Sequence, residues 1–295
     1  MNFFLIGGSG FLGQYVIREL LQKDHVDKIY CLIHKTEIPI QNDKVIKIKG
    51  SIETLDSVRI EEPMDQCVVL SGVTDAKNID EAMTIRVNYE GVKSAVLFCK
   101  KNQIPRICIV SSVNVKLARQ GVYAKSKRKA ENAVKESGLS YLIFRPALIF
   151  GHDGTKGLKV IENFIMKYGI VPVFGNGRKL EQPIWVGECA ALMACYLLKD
   201  CRNRTIELYG KDAMTYNQMC RLIAKVKGRR AALFHVPVWM CELGLHVLDA
   251  FHVKFPVSRE QIYHIDTNLT GDMENVYRET GIQGDSFLNN FRKQE

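Results

Sequence analysis

Two residues in the stretch GVYAKSKRKAEN (121–132) have the types and spacing to move a proton: Tyr123 and Lys127. Set at i and i+4, they share one face of a helix. A phenol left to itself ionises near pH ~10. A fixed ammonium beside it stabilises the phenolate and lowers that pKa toward the pH at which an enzyme works. Lys125, Arg128 and Lys129 crowd the same stretch, and with Lys127 they read first as a solvated basic face. What else the chain brings to the pair decides between chemistry and decoration.

The opening residues bring a cofactor loop. In IGGSGFLG, Gly7, Gly10 and Gly13 are spaced G-x-x-G-x-x-G, and with Gly8 the stretch also fits G-x-G-x-x-G. It lies between an apolar run at Phe3 to Ile6 and the helical spacing of Leu12, Tyr15, Val16 and Leu20, which is the context such a loop requires. The first glycines permit a sharp turn that brings backbone N–H groups against a pyrophosphate, and Gly13 permits close helix–strand packing. The helix N-terminus adds its partial positive charge. A dinucleotide is therefore expected. The carboxylate that would hold the ribose hydroxyls of NAD belongs at the end of the second strand. That place reads Leu32-Ile33-His34-Lys35. Lys35 and a protonated His34 would attract a 2′-phosphate, so NADP(H) is preferred and NAD(H) stays open.

The elements that must position these groups follow in order. KIYCLIH (28–34), KVIKIKG (44–50), QCVVLSG (66–72), RICIVSS (106–112) and SYLIFRP (140–146) read as further strands, and 79–101 and 123–137 as helices between them. Such alternation predicts an α/β fold, a Rossmann-type doubly wound parallel sheet, over residues 1–150. After Pro146 glycine and proline become frequent. Residues 151–184 and 210–295 are expected to form a smaller substrate lobe, with 185–209 returning to the main sheet.

With the glycine loop, VNYEGVKSAV (87–96), the serine-ended IVSS strand and Tyr123-x-x-x-Lys127 in order, the chain resembles the short-chain dehydrogenase/reductase superfamily, in its extended and atypical branches. RPALIFG (145–151) is similar to a segment of that branch, and FPVSREQIYHIDTN (255–268) to bacterial relatives of the nucleotide-binding accessory subunit of respiratory complex I. The resemblance implies that Tyr123 exchanges a proton with the substrate oxygen while hydride moves at the nicotinamide. It implies that Lys127 also holds the nicotinamide ribose, and that Ser112, with Ser111 as the alternative, hydrogen-bonds the substrate oxygen. Asn88 matches an asparagine that kinks a helix or relays protons. The dinucleotide is expected on Gly7, Gly10, Phe11, Leu12 and Gly13, on His34 and Lys35, on Ser51 and Ile52, on Ser71 and Gly72, and on Asn88, Tyr123, Lys127 and Pro146. Two departures stand out. Ser51 replaces the aspartate that often holds the adenine. Pro146-Ala147 and Gln182-Pro183 stand where nucleotide-sugar enzymes carry an asparagine and an arginine.

Composition sets the outer bounds. The chain has 295 residues, 46 % hydrophobic and 25 % charged, with a net charge of +9. That is ordinary for a soluble globular protein, with a surplus that suits anionic partners. No RNA-binding or helix-turn-helix signature turns the charge into nucleic-acid recognition. Nine cysteines without a C-x-x-C argue against a disulfide framework or zinc site and for a reducing compartment. The seven histidines lack metal-ligand spacing, and His246 and His252 read as surface or packing residues. The chain opens directly on a strand, and its longest apolar run, CAALMACYLL (189–198), is too short to span a bilayer. A cytoplasmic protein is expected, with peripheral membrane contact open. Within 233–256, Trp239, Met240, Leu243, Val247, Leu248, Phe251 and Phe255 form an apolar surface at helical spacing, which reads as core or as the wall of a lipophilic pocket.

The leading expectation is thus an NADP(H)-dependent oxidoreductase of a carbonyl/alcohol pair. The rivals are a non-catalytic NADP(H)-binding subunit or redox sensor, and a nucleotide-sugar epimerase/dehydratase.

Overall fold

The computed structural model describes residues 1–73, 80–152, 156–240, 265 and 267–293. Strands β1 (Asn2–Ile6), β2 (Lys28–Ile33), β3 (Val45–Lys49), β4 (Gln66–Val69), β5 (Arg106–Val110), β6 (Ser140–Pro146) and β11 (Arg204–Leu208) make one seven-stranded sheet in the order β3-β2-β1-β4-β5-β6-β11. Every pairing in it is parallel. Phe3, Phe4, Leu5, Ile107, Cys108, Leu142 and Ile143 are fully buried. Strands covered on both faces need such unbroken apolar runs. The expected doubly wound sheet is present.

Helices α1 (Phe11–Leu21) and α6 (Val186–Leu198) pack on one face of the sheet, and α3 (Gly91–Lys101) and α4 (Val122–Lys135) on the other. The chain order reverses between β1 and β4, so the loops leaving their carboxyl ends splay apart. That crevice is where open α/β sheets bind ligands. The helix expected over 79–101 is interrupted. A short α2 (Glu81–Ile85) and α3 are joined by a π-helical turn at Arg86–Glu90, a local widening that often marks a functional site. Ile79 lies outside the described residues.

The basic stretch at 125–129 departs from its first reading. Lys125, Arg128 and Lys129 are exposed, but Lys127 is only 5 % exposed. A rotation of about 100° per residue turns position 127 toward the sheet while its neighbours face water.

A smaller lobe is built from α5 (Lys156–Tyr168), α7 (Tyr216–Val226) and three two-stranded pairs. These pair β7 (Ile149–Phe150) with β10 (Ile184–Trp185), β8 (Ile170–Phe174) with β13 (Ala232–Val236), and β9 (Leu180–Glu181) with β12 (Met214–Thr215). The chain leaves the main sheet after β6, returns to it for α6 and β11, and leaves again. Residues 267–293 tie the two parts together. Tyr277 donates to the buried Glu188 carboxylate at 2.8 Å, Glu279 holds both Arg204 and Tyr196, and the Phe287 ring packs tilted against Phe150 with centroids 4.9 Å apart. Among the described residues, no three His, Cys, Asp or Glu side chains gather as metal ligands, and no helix is long and apolar enough to cross a membrane.

Candidate active site

The glycine loop turns at Gly7, whose φ of 90° is a left-handed conformation that side chains disfavour. A Cβ there would lie 2.4 Å from Ser71 N, so only glycine lets the loops after β1 and β4 touch. A Cβ at Gly13 would lie 2.3 Å from Gly7 O. Gly10 N–H closes the turn on Gly7 O at 3.1 Å, and the first bond of α1 runs from Gln14 N to Gly10 O. The N–H groups of Phe11, Leu12 and Gly13 therefore precede the helical ladder and have no partner within it. No side chain caps them. That is the geometry a pyrophosphate fits: open donors, a favourable dipole and no Cβ in the way. Leu12 offers only its backbone, because its side chain is in the core. The Phe11 ring packs against Gly151, where a Cβ would come within 2.8 Å of it. Ser71 Oγ is buried without a hydrogen-bond partner beside the loop.

Helix α4 places Tyr123, half-buried, one turn ahead of Lys127. Lys127 Nζ donates to Val110 O, at the carboxyl end of β5, at 2.9 Å. It also lies 2.8 Å from where a Cβ at Gly72 would stand, so the amine reaches the loop after β4. Burial pushes the Lys127 ammonium down from 10.5 to about 8, with Glu131 opposing that fall. Glu131 is the next residue on the same face, at i+8 from Tyr123. Burial works against its charge, but Arg145, Ser111 and Lys135 outweigh it and leave its pKa lowered. Arg145 grips Glu131 with both arms, at 2.8 and 2.7 Å. Arg145 in turn faces Glu207 at 3.4 Å, and Glu207 takes Lys116 at 2.8 Å and the Tyr209 hydroxyl at 2.9 Å. An ion-pair chain thus backs the Lys127 amine.

Asn88 stands in the π turn, fully buried. Its amide accepts from Val73 N at 2.8 Å and donates to Val73 O at 2.9 Å, fastening the loop that carries Ser71 and Gly72. It also donates to Ser126 Oγ at 3.3 Å, and that hydroxyl donates to Tyr123 O at 2.8 Å. One side chain therefore joins the cofactor loop to the turn bearing Tyr123. Ser112 Oγ accepts from Asn114 N at 3.2 Å, which leaves its own O–H to donate elsewhere. Ser111 Oγ is more deeply buried and lacks a hydrogen-bond partner in this geometry, yet lies close enough to Glu131 to help keep it ionised. Pro146 is buried at the end of β6.

Beyond β2 a cavity of about 400 Å³ is lined by His34, Lys35, Glu37, Lys49 and Ser51, among others. Glu37 is paired with Lys47 at 3.4 Å. The Ser51 hydroxyl is shared with Thr54 at 3.1 Å. Ile52 turns inward, and a Cβ at Gly91 would meet its side chain at 2.8 Å.

Sequence reasoning missed Glu131, Arg145 and Lys49. Glu131 was within reach, since it continues the i, i+4 series from Tyr123 and Lys127. Arg145 and Lys49 come from strand ends distant in sequence, and no local spacing pairs them with the site. The segment 255–268 and the apolar residues from Leu243 to Phe255, with His246 and His252, lie outside the described residues apart from Ile265 and the last two positions of the segment.

Two outcomes are expected from this geometry. Gly13→Ala should abolish the rise in melting temperature expected of the wild-type protein with NAD(P)H, because the new Cβ occupies the turn. Lys127→Met should raise stability at neutral pH. The lowering of Lys127 from 10.5 to about 8 makes the charged form cost up to about 3 kcal/mol in the fold. That cost is fully present below about pH 8 and gone above 10.5, since the unfolded chain holds the proton more tightly across that window. The stability gap between mutant and wild type, read by denaturant titration, should therefore close as pH rises through it.

The chain matches the family described as NAD(P)H-binding over residues 7–165. It is 25 % identical over 243 residues to a ceramide reductase from Caulobacter vibrioides, covering 79 % of this chain and 73 % of that one. It is 22 % identical over 277 residues to the mitochondrial NADH dehydrogenase [ubiquinone] 1 alpha subcomplex subunit 9 of Arabidopsis thaliana, covering 89 % of this chain and 67 % of that one. Among solved structures, the dTDP-glucose 4,6-dehydratase DesIV from Streptomyces venezuelae, with NAD and TYD bound, superposes with a TM-score of 0.78 at 16 % identity, over 100 % of this chain and 95 % of that one. That last likeness speaks for the fold. The match spans more than half of the chain and takes in the glycine loop at the crossover of the doubly wound sheet, and the chain belongs to the NAD(P)H-binding family.

Proposed function

We propose that the protein is an NADP(H)-dependent oxidoreductase that interconverts a carbonyl and an alcohol, with Tyr123 as acid/base. The observation that carries this reading is the buried Lys127 amine, set between Val110 O and Gly72 on the sheet edge that bears the glycine loop. Bound in that loop, the dinucleotide would supply or accept hydride. Tyr123 gives its hydroxyl proton to the substrate oxygen in the reductive direction and takes it back in the oxidative one. Lys127 favours the phenolate and holds the nicotinamide ribose. Ser112 donates the proton left over from its bond with Asn114 N and fixes the substrate oxygen.

Preference for the phosphorylated dinucleotide is supported by the cavity beyond β2. Lys35, Lys49 and His34 line it, and its carboxylate, Glu37, is already paired with Lys47. The likeness to a ceramide reductase supports a lipophilic carbonyl as the substrate class.

A second reading, a cofactor-binding subunit without turnover, draws on the likeness to the Arabidopsis NADH dehydrogenase subunit. A nucleotide-sugar substrate is disfavoured because Gln182 is consumed internally. Its amide donates to Gly210 O at 2.7 Å and accepts from Gly271 N at 3.0 Å.

Tyr123→Phe should lower turnover on a long-chain ketone panel by about 10²- to 10⁴-fold, the usual worth of a positioned acid/base. NADPH affinity, read by thermal shift, should stay within a few-fold. Full activity in that variant would overturn the mechanism, and absence of turnover in the wild type on every carbonyl tried would favour the non-catalytic reading. Lys35→Glu should weaken NADPH by about tenfold, about 1.4 kcal/mol, and leave NADH nearly unchanged; equal losses for both would remove the phosphate preference.

A further inference from the structure

The strand pair β8/β13 breaks the rule that a surface sheet is apolar on one face only. Its register sets Ile170 beside Ala232, Pro172 beside Phe234 and Phe174 beside Val236. Period-two alternation puts these six residues on one face. The opposite face carries Val171 and Val173, 2 and 0 % exposed, with Val171 and Leu233 packed on the lobe core of α5 and α7. Among the described residues no element packs on the first face as α5 and α7 do on the second. Ile170 is 49 % and Phe234 63 % exposed. Tyr168, just before β8, and Trp239 and Met240, just after β13, are exposed as well.

Among the described residues, the two segments that carry this patch supply charge of one sign. Residues 163–174 and 228–240 contain Lys167, Arg229 and Arg230 and no carboxylate. All three cations are exposed. They sit at one end of the patch. Ala232 N donates to Gly169 O at 2.9 Å, and Arg230 O lies 4.0 Å from where a Cβ at Gly169 would stand. Lys167 Nζ lies 5.0 Å from the centre of the Tyr168 ring. Glu162, just ahead of the first segment, is taken by Lys227 at 3.6 Å.

We propose that this face docks on an anionic lipid surface. Exposed tyrosine and tryptophan with aliphatic neighbours suit the headgroup boundary, and a basic rim suits acidic phospholipids. Each basic residue near such a surface is worth about 1 kcal/mol. A second copy of the chain fits less well, because a two-fold interface must complement itself and neither segment offers a carboxylate to meet the cations. The face belongs to the smaller lobe. Docking there would bring the proposed substrate side, rather than the dinucleotide crevice, to the bilayer.

Sedimentation with vesicles tests this. Wild-type protein should pellet with phosphatidylcholine vesicles containing phosphatidylglycerol, and at least about tenfold less with phosphatidylcholine alone, with binding weakening as salt rises. Phe234→Glu with Trp239→Glu, and separately Arg229→Glu with Arg230→Glu, should each lose most of the binding while keeping the NADPH thermal shift, which reports an intact fold. Tryptophan emission should move to shorter wavelength on adding anionic vesicles, and Trp239→Phe should remove that change. Equal binding to neutral vesicles, recovery of the wild type in the supernatant, or full binding by either double variant would overturn the proposal. So would a concentration-dependent dimer, lost in Phe234→Glu with Trp239→Glu, that forms in place of vesicle binding.

Discussion

A positive charge kept where water cannot reach it is the constraint around which the candidate site is organised. Lys127 is only 5 % exposed, and burial pushes its ammonium down from 10.5 to about 8. What opposes this is one ionised carboxylate a helical turn away, Glu131, itself nearly buried. A buried carboxylate needs its own partner or it too becomes neutral. Arg145 meets that need with a two-pronged grip, and Glu207 and Lys116 carry the alternation of charge out to the surface. The arginine of the RPALIFG segment is thus spent on holding the acid that supports the lysine. The proposed tuning of Tyr123 by the Lys127 amine would therefore depend on Glu131, Arg145 and Glu207, which stand behind the lysine.

The same economy governs the backbone. Gly7 allows the loops after β1 and β4 to touch, and Gly72 leaves room for the Lys127 amine. The loop bearing Gly72 is fastened by Asn88, whose placement depends on the π turn at Arg86–Glu90. Through Ser126 the same amide reaches the Tyr123 carbonyl. The cofactor loop and the proposed acid/base therefore share one mechanical frame. A shift in the π turn moves both, which favours a site whose hydride and proton partners hold a fixed separation.

The glycine turn and the helix bearing Tyr123 and Lys127 were legible because their patterns are local. Gly7, Gly10 and Gly13 are spaced within one turn, and Tyr123 and Lys127 within one helix. The main strands could be read because parallel sheets need unbroken apolar runs such as NFFLI and RICIV. What escaped depended on distance in sequence. Arg145 meets Glu131 across fourteen positions and a strand. The inward turn of Lys127 among exposed basic neighbours was hidden by their shared charge. The packing of the Ile52 side chain on Gly91 of α3 likewise joins residues far apart in sequence.

The ties between the smaller lobe and the sheet resisted reading for a different reason: they are single contacts rather than a repeating pattern. Gln182 joins Gly210 to Gly271, Tyr277 meets Glu188, and Glu279 takes both Arg204 and Tyr196. None of these follows a helical or strand period, so none has a signature in sequence. Such a lobe can change what it contacts without disturbing the sheet, whose own core clusters lie on its two faces. Its β8/β13 pair shows that freedom, since a strand pair tethered on one face to α5 and α7 leaves the other free to take up an apolar surface of its own. A fold that fixes the dinucleotide in one half and leaves the other half free to vary can present the same proton and hydride chemistry to very different substrates.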